Sequence, residues 1–291
     1  MVDLTVIILT KNEETNIARC IDSIKCLADR IIVVDSRSED STVKIATELG
    51  AEGYEHCPFV SHGHQFNWAL DHLNITTTWV YRIDADEVVP LELRREIQET
   101  CFIHKEDDVN ALEMRFRIYF MGKYLYHGGV YPFKKVNIFK YGKARFNETP
   151  MRDDVVLAEG VVKSLNNDCL HYDFKDLSTW VQKHNWYSDN EVDVFLSGGE
   201  NDLNGLSKDS KKRKILKNKL YYKLPVLIRA KFYFWYRFYF RFGFLDGIPG
   251  YIYAYLQAYW YRFMIDAKII EKVNISKHLK DEDLSHLSKV E

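Results

Sequence analysis

The sequence lacks the features that mark secreted, zinc-binding and membrane-spanning chains. Its five cysteines include no Cys-x-x-Cys pair, which argues against a disulfide framework or a zinc site. No stretch free of Asp, Glu, Lys and Arg exceeds fifteen residues, whereas a spanning helix needs about 20 apolar residues. The first residues provide neither a basic segment nor a long apolar one, so they do not resemble an export signal. We therefore expect reduced thiols and a cytoplasmic protein.

Two glycine-rich motifs that bind phosphate are also missing. No Gly-x-Gly-x-x-Gly follows the first predicted strand, and no Gly-x4-Gly-Lys-Ser/Thr occurs in the chain. This excludes a dinucleotide-binding fold of the glycine-fingerprint type and a P-loop enzyme. A nucleotide site in this chain therefore needs another partner for the phosphate charge.

Apolar runs alternate with helix-like segments in the first part of the chain. The predicted strands and helices span, in order, residues 4–10, 13–27, 30–35, 38–49, 51–55, 65–73 and 79–83. Near-continuous Ile and Val runs indicate strands covered on both faces, so we expect a mostly parallel sheet with helices on either side. Right-handed crossovers bring the carboxyl ends of such strands to one edge, where open α/β sheets bind their ligands.

Two carboxylates, Asp84 and Asp86, follow directly after the last of these strands. Residues i and i+2 of an extended segment project to the same side, so both carboxylates can face one point above the strand. Such a pair suits Mg²⁺ or Mn²⁺, which takes one or two carboxylates together with substrate phosphates. A plain polar turn is the alternative interpretation. Residues 10–13 and 35–38 are polar and follow neighbouring strands at the same edge, which favours a binding site.

Five segments occur in an order that resembles one family of enzymes. They are residues 5–14, 31–42, 65–70, 84–87 and 245–247. Together they resemble the inverting nucleotide-sugar glycosyltransferases of the GT-A fold, in the large second family, and most of all the lipopolysaccharide-core beta-glucosyltransferase type. The resemblance implies an α/β fold with a Rossmann-like, nucleotide-binding mixed sheet. It also implies transfer of glucose or a related hexose from a UDP-sugar.

Four positions match the nucleoside side of that family's site. Thr10, Asn12 and Glu13 match the loop that lines the nucleoside pocket. Asp35 matches the carboxylate that accepts a hydrogen bond from the uracil ring. The resemblance also implies that Asp84 lies near the ribose.

The segment around Asn67 departs from the family pattern. Relatives often carry Arg where this chain has Phe66, so we expect no diphosphate contact from that position. The resemblance still implies that Asn67 belongs to the nucleotide site. His62 or His64 is the candidate that replaces the missing Arg, and a pair of solvated loop histidines is the alternative.

The resemblance further implies a metal site and a general base. Asp86 would be the chief ligand of Mn²⁺ or Mg²⁺, with Asp84 as a second ligand, and His171 aligns with a histidine near the metal or the leaving group. An inverting enzyme needs a base that takes the proton from the acceptor hydroxyl. Relatives carry a His-Glu pair where this chain has Asn147 and Glu148, so the resemblance assigns the base to Glu148. A structural His171 and a surface Glu148 are the alternatives.

A polar, glycine-containing stretch at residues 197–205 predicts a linker. We expect a GT-A catalytic domain over residues 1–200, with a nucleotide-binding half (1–100) and an acceptor half (101–200). The remaining residues, 201–291, form a predicted helical appendage that associates with a membrane surface or with a second subunit.

The appendage is basic and aromatic. Residues 208–241 contain twelve Lys or Arg and one acid, in a chain whose formal net charge is −2. On a helical projection Lys223, Arg229, Arg237 and Arg241 share one face, and aromatic residues cover most of the rest. Aromatic rings prefer the lipid headgroup level, and each cation gains about 1 kcal/mol near anionic lipid, which favours a membrane surface over nucleic acid.

These observations predict an inverting, metal-dependent glycosyltransferase that is peripheral (monotopic) on the inner face of the plasma membrane. The predicted acceptor is a lipid-linked glycan or lipopolysaccharide. A homo-oligomer formed through the C-terminal helices is an additional or alternative expectation. Competing functions are a sugar-phosphate nucleotidyltransferase and a non-catalytic membrane scaffold with the same fold. The first of these would normally carry a glycine-rich loop with Arg and Lys after the first strand, which this chain lacks.

Overall fold

The structure is a computed structural model that describes residues 2–148, 155–172, 175–197, 221 and 223–287, with side chains as far as residue 274. The predicted linker and the first part of the basic segment therefore lie almost wholly outside the described residues.

The described residues form strands and helices in the order that the sequence predicts for the first part of the chain. The strands are β1 (Val2–Thr10), β2 (Ala28–Asp35), β3 (Glu52–Glu55), β4 (Trp79–Asp84), β5 (Glu87–Val88), β6 (Val109–Phe120), β7 (Lys123–Tyr124), β8 (Phe133–Lys140), β9 (Ala144–Phe146), β10 (Val155–Leu157) and β11 (Val161–Tyr172). The helices are α1 (Ile17–Ile24), α2 (Thr42–Glu48), α3 (His62–His72), α4 (Leu91–Ile103), α5 (Leu177–Leu196), α6 (Ile228–Trp235), α7 (Gly247–Ala254) and α8 (Tyr261–Leu287).

The central sheet has the strand order β3-β2-β1-β4-β8-β6-β11-β5. Strands β3, β2, β1 and β4 are parallel, as predicted. Beyond β4 the sheet is mixed, because β8 runs antiparallel to both β4 and β6 and β5 runs antiparallel to β11. The prediction of a mostly parallel sheet was therefore wrong for this half, whereas the mixed Rossmann-like GT-A sheet is confirmed. Strands β6 and β8 are neighbours in the sheet, and only the short strand β7 and its loops separate them along the chain. Such a short connection suits antiparallel strands.

Helices cover both faces of the sheet, and the alternation of side chains along each strand decides which face they meet. Ile8 packs into a cluster with Ile21 of α1 and Ile97 of α4 on one face. Its neighbour Ile7 packs with Phe66 of α3 on the other. All five side chains are fully buried. This sandwich fixes the position of the carboxyl ends of β1, β2 and β4.

Helices α1 and α2 begin later than predicted, because loop side chains take up the backbone groups in front of them. The Glu13 backbone N–H donates to Thr42 Oγ1 at 2.7 Å. The Thr42 backbone N–H in turn donates to Asp40 Oδ1 at 3.0 Å. Such local hydrogen bonds compete with helical ones. The loops after β1 and β2 are therefore irregular at the sheet edge, and the hydrogen bond from Glu13 to Thr42 joins them.

The C-terminal helices pack against α5. Val192 of α5 clusters with Tyr261 and Ile265 of α8. Glu191 accepts hydrogen bonds from the Tyr261 hydroxyl at 2.8 Å and from Arg262 Nη1 at 2.6 Å. The last helix within residues 1–200 thus shares a small core with the C-terminal region. Within the described residues, no helix is both long enough and apolar enough to traverse a bilayer.

The prediction that the appendage has a helix face formed by its basic residues was wrong. Arg229 is buried and pairs with buried Asp266, and Arg237 is buried and donates to a backbone carbonyl. Lys223 precedes α6, and Arg241 follows a π-helical turn where the chain changes direction. A helical projection groups side chains on one face but does not say whether that face is turned toward the protein or away from it.

Candidate functional site

The loops after β1 and β2 form one preorganised edge. Asp35, which ends β2, is buried and accepts hydrogen bonds from Thr10 Oγ1 at 2.7 Å and from the Ser38 backbone N–H at 2.6 Å. Asn12 has a left-handed backbone (φ 54°), and its N–H donates to Ser38 Oγ at 2.7 Å. The structure therefore brings Thr10, Asn12 and Asp35 together at the carboxyl ends of the parallel strands, where the sequence predicts the nucleoside.

Glu13 connects this edge to the segment that follows β11. Its carboxylate accepts a hydrogen bond from Asn16 Nδ2 at 2.8 Å and pairs with Lys175. Burial raises the pKa of Glu13, with nearby Asp86 adding to the effect, although the Lys175 ammonium opposes it. A carboxylate that is enclosed in this way orders the loop, and it lies within electrostatic range of the second carboxylate of the Asp84 and Asp86 pair.

Asp84 is turned toward two cations of the protein. Its Oδ1 is 3.0 Å from Arg82 Nη2, and its Oδ2 is 3.9 Å from Lys135 Nζ. Burial would raise the pKa of Asp84, but these two cations hold it below its ordinary value. Arg82 and Asp84 are two residues apart on one strand and so share a face. The i, i+2 spacing of Arg82 and Asp84 in the sequence is therefore itself a signal for this pair.

Asp86 instead faces His171. Asp86 Oδ1 lies 3.6 Å from His171 Nδ1, and the Asp86 carbonyl accepts a hydrogen bond from the Tyr172 backbone N–H at 2.7 Å. The pairing of β11 with β5 places His171 opposite Glu87. Glu87 is fully enclosed, and burial together with the charge of Asp84 raises its pKa well above the ordinary value. The His171 position predicted near the metal thus lies beside Asp86.

A complete metal cage is not preformed. In the described part of the chain no three His, Cys, Asp or Glu side chains are arranged to hold an ion. The predicted set of Asp84, Asp86 and His171 is divided, because Asp84 is engaged by Arg82. Asp86 and His171 remain, and they fit a divalent ion that draws its other ligands from a diphosphate and water.

Helix α3 holds Glu148 at the end of β9. Asn67 Nδ2 donates to Glu148 Oε1 and to the Phe146 carbonyl, both at 2.8 Å, while Asn67 Oδ1 accepts from the Phe146 backbone N–H at 3.0 Å. Ser61 Oγ donates to the Glu148 carbonyl at 2.9 Å. Glu148 itself is exposed. The candidate base is therefore an accessible carboxylate whose direction is set by a buried amide.

This arrangement corrects the expectation for Asn67. An amide NH₂ has two donors, and both are used on Phe146 and Glu148, so neither is available to a nucleotide. Asn67 is buried, and Phe66 beside it is fully enclosed against the Phe146 ring at 4.8 Å. Neither side chain is therefore accessible to a ligand at the protein surface. The sequence could not reveal this role, because the partner strand is distant in the chain.

One chain of contacts joins Glu148 to Asp84. The Arg82 guanidinium lies 4.8 Å above the Phe146 ring while it pairs with Asp84. His62 is exposed and has Arg82 and Asp84 among its nearest charges. Tyr187 of α5 has Asp84 and Asp86 within electrostatic range. Contacts through Phe146 and Arg82 therefore link the base candidate to Asp84, and α5 lies near the same pair of carboxylates.

Gly63 permits the close approach of α3 to the strand that carries Glu148. A Cβ at this position would overlap the carbonyl group of Asn147. We expect Gly63→Ala to lower the free energy of unfolding by about 1–3 kcal/mol, as overpacking does, and to lower kcat while the KM for the donor changes little. Steady-state kinetics and thermal unfolding measure both effects.

Gly53→Ala is the matched control for this substitution. A Cβ at Gly53 of β3 would meet Thr47 and Val43 side chains at 3.4 Å, an ordinary contact distance. It should leave both quantities nearly unchanged. An unaltered kcat in Gly63→Ala would show that the contact between α3 and Asn147 does not position the base.

Comparison with known proteins identifies a family. Residues 5–151 match the family model described as Glycosyl transferase family 2. The chain is 31% identical over 208 residues to an uncharacterized glycosyltransferase of Rickettsia typhi. The aligned region covers 69% of this chain and 70% of the Rickettsia protein. It is 26% identical over 202 residues to the lipopolysaccharide core biosynthesis glycosyltransferase LpsC of Rhizobium meliloti, covering 68% of this chain and 73% of that one.

Solved structures give a more limited match. Glucosyl-3-phosphoglycerate synthase of Mycobacterium tuberculosis, in complex with Mn²⁺, UDP and glucosyl-3-phosphoglycerate, is 23% identical with a TM-score of 0.34. The match covers 39% of this chain, and the chain spans 44% of the synthase.

Proposed function

Because the chain belongs to glycosyltransferase family 2, we propose that it is an inverting transferase that moves a hexose from a UDP-sugar to a lipid-linked glycan. One observation carries this proposal. The exposed Glu148 carboxylate is oriented by Asn67. Contacts through Phe146 and Arg82 connect it to Asp84. Two residues further on, Asp86 faces His171. A base and a diphosphate site on opposite sides of one sugar are what an inverting displacement requires.

Glu148 is the proposed catalytic base. The acceptor hydroxyl would donate its proton to a Glu148 oxygen while its own oxygen attacks the anomeric carbon and the diphosphate leaves from the opposite face. Asn67 acts through Glu148 as a positioning residue, since its hydrogen bond to Oε1 fixes the plane of the carboxylate. The other oxygen, Oε2, is then directed toward the acceptor.

The nucleotide is proposed to bind along the edge formed by Thr10, Asn12 and Asp35. Asp35 keeps capacity to accept from a uracil N–H, because each carboxylate oxygen has more than one lone pair. Asp86 and His171 would hold Mn²⁺ or Mg²⁺ at the diphosphate. The ion, when bound, offsets the negative charge that develops on the leaving group.

The acceptor is proposed to be a lipid-linked glycan of the lipopolysaccharide type, presented at the cytoplasmic face of the membrane. The similarity to LpsC, which is named for lipopolysaccharide core biosynthesis, supports this acceptor class. The exposed aromatic surface of the C-terminal helices supports a peripheral position on the bilayer. Glucose is the first candidate for the transferred sugar.

A nucleotide-sugar screen tests the proposal. We expect UDP-glucose, UDP-galactose or a UDP-N-acetylhexosamine to raise the Tm in the presence of Mn²⁺ and to be hydrolysed slowly, because a ligand that binds only the folded state stabilises it. GDP-mannose serves as the control for base recognition, and EDTA as the control for the metal. Formation of UDP-sugar from UTP and a sugar phosphate would instead establish a nucleotidyltransferase, and no response to any nucleotide would favour a scaffold.

A further inference from the structure

The C-terminal helices bury several charged side chains and expose several large aromatic ones. Arg229 is 5% exposed and its Nε donates to Asp266 Oδ1 at 2.8 Å, with Asp266 only 1% exposed. Arg237 is also buried, and its Nε donates to the Gly128 carbonyl at 2.6 Å. Asp246 is buried as well. Small or charged residues therefore face the protein, the reverse of an ordinary surface helix.

The outer surface carries several large apolar side chains that lie close together in the sequence. Phe240 is 75% exposed and Ile248 is 76% exposed. Four further exposed side chains lie between or beside them. We call these six residues the apolar cap: Tyr239, Phe240, Phe242, Phe244, Leu245 and Ile248. Soluble proteins rarely expose so many large apolar side chains within one short segment unless something covers them.

The charges that remain exposed around the cap are all positive. Lys223, Lys231 and Arg241 are exposed. The only acids between residues 223 and 270 are Asp246 and Asp266, and both are buried. The chain directly before this region, residues 208–220, adds seven Lys or Arg and a single acid. An apolar centre with a rim of cations is complementary to a bilayer that has anionic headgroups.

We propose that the apolar cap enters the lipid bilayer, with the phenyl rings and Ile248 in the acyl region and the cations at the headgroups. This inference rests on the proposed function only for the identity of the acceptor. It also changes the expected mode of contact. The predicted helix face, with its cations and aromatic rings, would bind at the headgroup level, whereas the cap binds chiefly by burial of apolar surface.

The cap is fixed to the catalytic domain through Asp246. Its Oδ2 accepts hydrogen bonds from the backbone N–H of Tyr126 at 3.0 Å and of His127 at 2.8 Å. On β7, just before these residues, the Tyr124 ring lies 5.6 Å from the Tyr172 ring, and the Tyr172 backbone N–H donates to the Asp86 carbonyl. The plane of the membrane is thereby fixed relative to the carboxylate edge, so a lipid-linked acceptor would be presented at a constant height.

Vesicle sedimentation with the full-length chain tests this inference. The probes are phosphatidylcholine vesicles and vesicles in which part of the phosphatidylcholine is replaced by phosphatidylglycerol. We expect the wild type to bind both, and more tightly to the anionic mixture at low salt. The double variant Phe240→Ser, Ile248→Ser should bind roughly 100-fold more weakly to both, because two buried apolar side chains are lost.

Phe102→Ser, Ile103→Ser is the matched control. These residues are 81% and 69% exposed at the end of α4, so the change removes similar apolar surface elsewhere. It should leave vesicle binding unaltered. Equal losses in the two double variants, or wild-type binding that disappears on neutral vesicles, would overturn insertion of the cap.

Two further readouts separate the possible failures. Manganese-dependent hydrolysis of UDP-glucose in solution should be the same in the wild type and in both double variants, since none of the four residues belongs to the proposed site. A wild type that hydrolyses the donor but ignores vesicles would refute the cap alone. The cap would instead bind a second copy of the chain if the wild type is a dimer on size-exclusion chromatography and does not bind vesicles. In that case the Phe240→Ser, Ile248→Ser variant, but not the control variant, should be a monomer.

Discussion

Glu148→Gln should lower sugar transfer about 10²–10⁴-fold, the range that removal of a general base produces. Glutamine preserves the size of the side chain and its oxygen can still accept from Asn67 Nδ2, so the end of β9 should keep its position. What is lost is the capacity to take the acceptor proton. Transfer to an acceptor should therefore fall, whereas the KM for the donor and the binding of UDP should remain near wild-type values.

The control for this substitution is Glu99→Gln. Glu99 is exposed on α4, so the same change of charge there should leave transfer unaltered. Asn67→Ala gives the complementary test, because it removes the orienting hydrogen bond and keeps the base. We expect a smaller loss of kcat in that variant. A Glu148→Gln enzyme that transfers at the wild-type rate would exclude Glu148 as the base and leave Asn67 with a purely structural role.

The nucleotide-binding half of the fold could be predicted because its signals are local. A run of Ile and Val such as β1 encodes a doubly covered strand within a few residues, and the carboxylates after β4 are adjacent to the strand that positions them. The strand order β3-β2-β1-β4 follows from such units and from the handedness of their connections. Register in the second half of the sheet depends on pairings such as β4 with β8, for which no short segment carries a signal.

The same distinction explains which site residues were assigned wrongly. Asn67 was grouped with the nucleotide because its motif resembles the family, but its role depends on a strand end far along the chain. Arg229 was placed on an outer basic face, but its partner Asp266 lies on another helix. In both cases the residue type was informative and the direction of the side chain was not. Direction is set by tertiary contacts, which outweigh local pattern.

Asp86→Asn should lower transfer about 10³-fold, because the diphosphate loses the carboxylate that anchors its cation. The effect should appear in binding as well as in rate. Calorimetry with UDP and Mn²⁺ should show a loss of the metal-dependent part of the affinity. Folding should not suffer, since the Asp86 carbonyl, which the Asn variant keeps, accepts the hydrogen bond from the Tyr172 backbone N–H.

Asp84→Asn supplies the contrast that separates the two aspartates. Asp84 pairs with Arg82, whose side chain is 4% exposed while that of Asp84 is 30% exposed. Removing one partner of a fully buried pair costs about 3–5 kcal/mol, so the cost at this half-buried pair should be somewhat smaller. We therefore expect Asp84→Asn to lower the Tm strongly and Asp86→Asn to leave it nearly unchanged. Thermal unfolding without nucleotide measures this difference directly. If Asp86→Asn kept its manganese-dependent UDP binding and Asp84→Asn alone lost it, the metal would belong to Asp84, and the pairing of Asp84 with Arg82 would have to open when the donor binds.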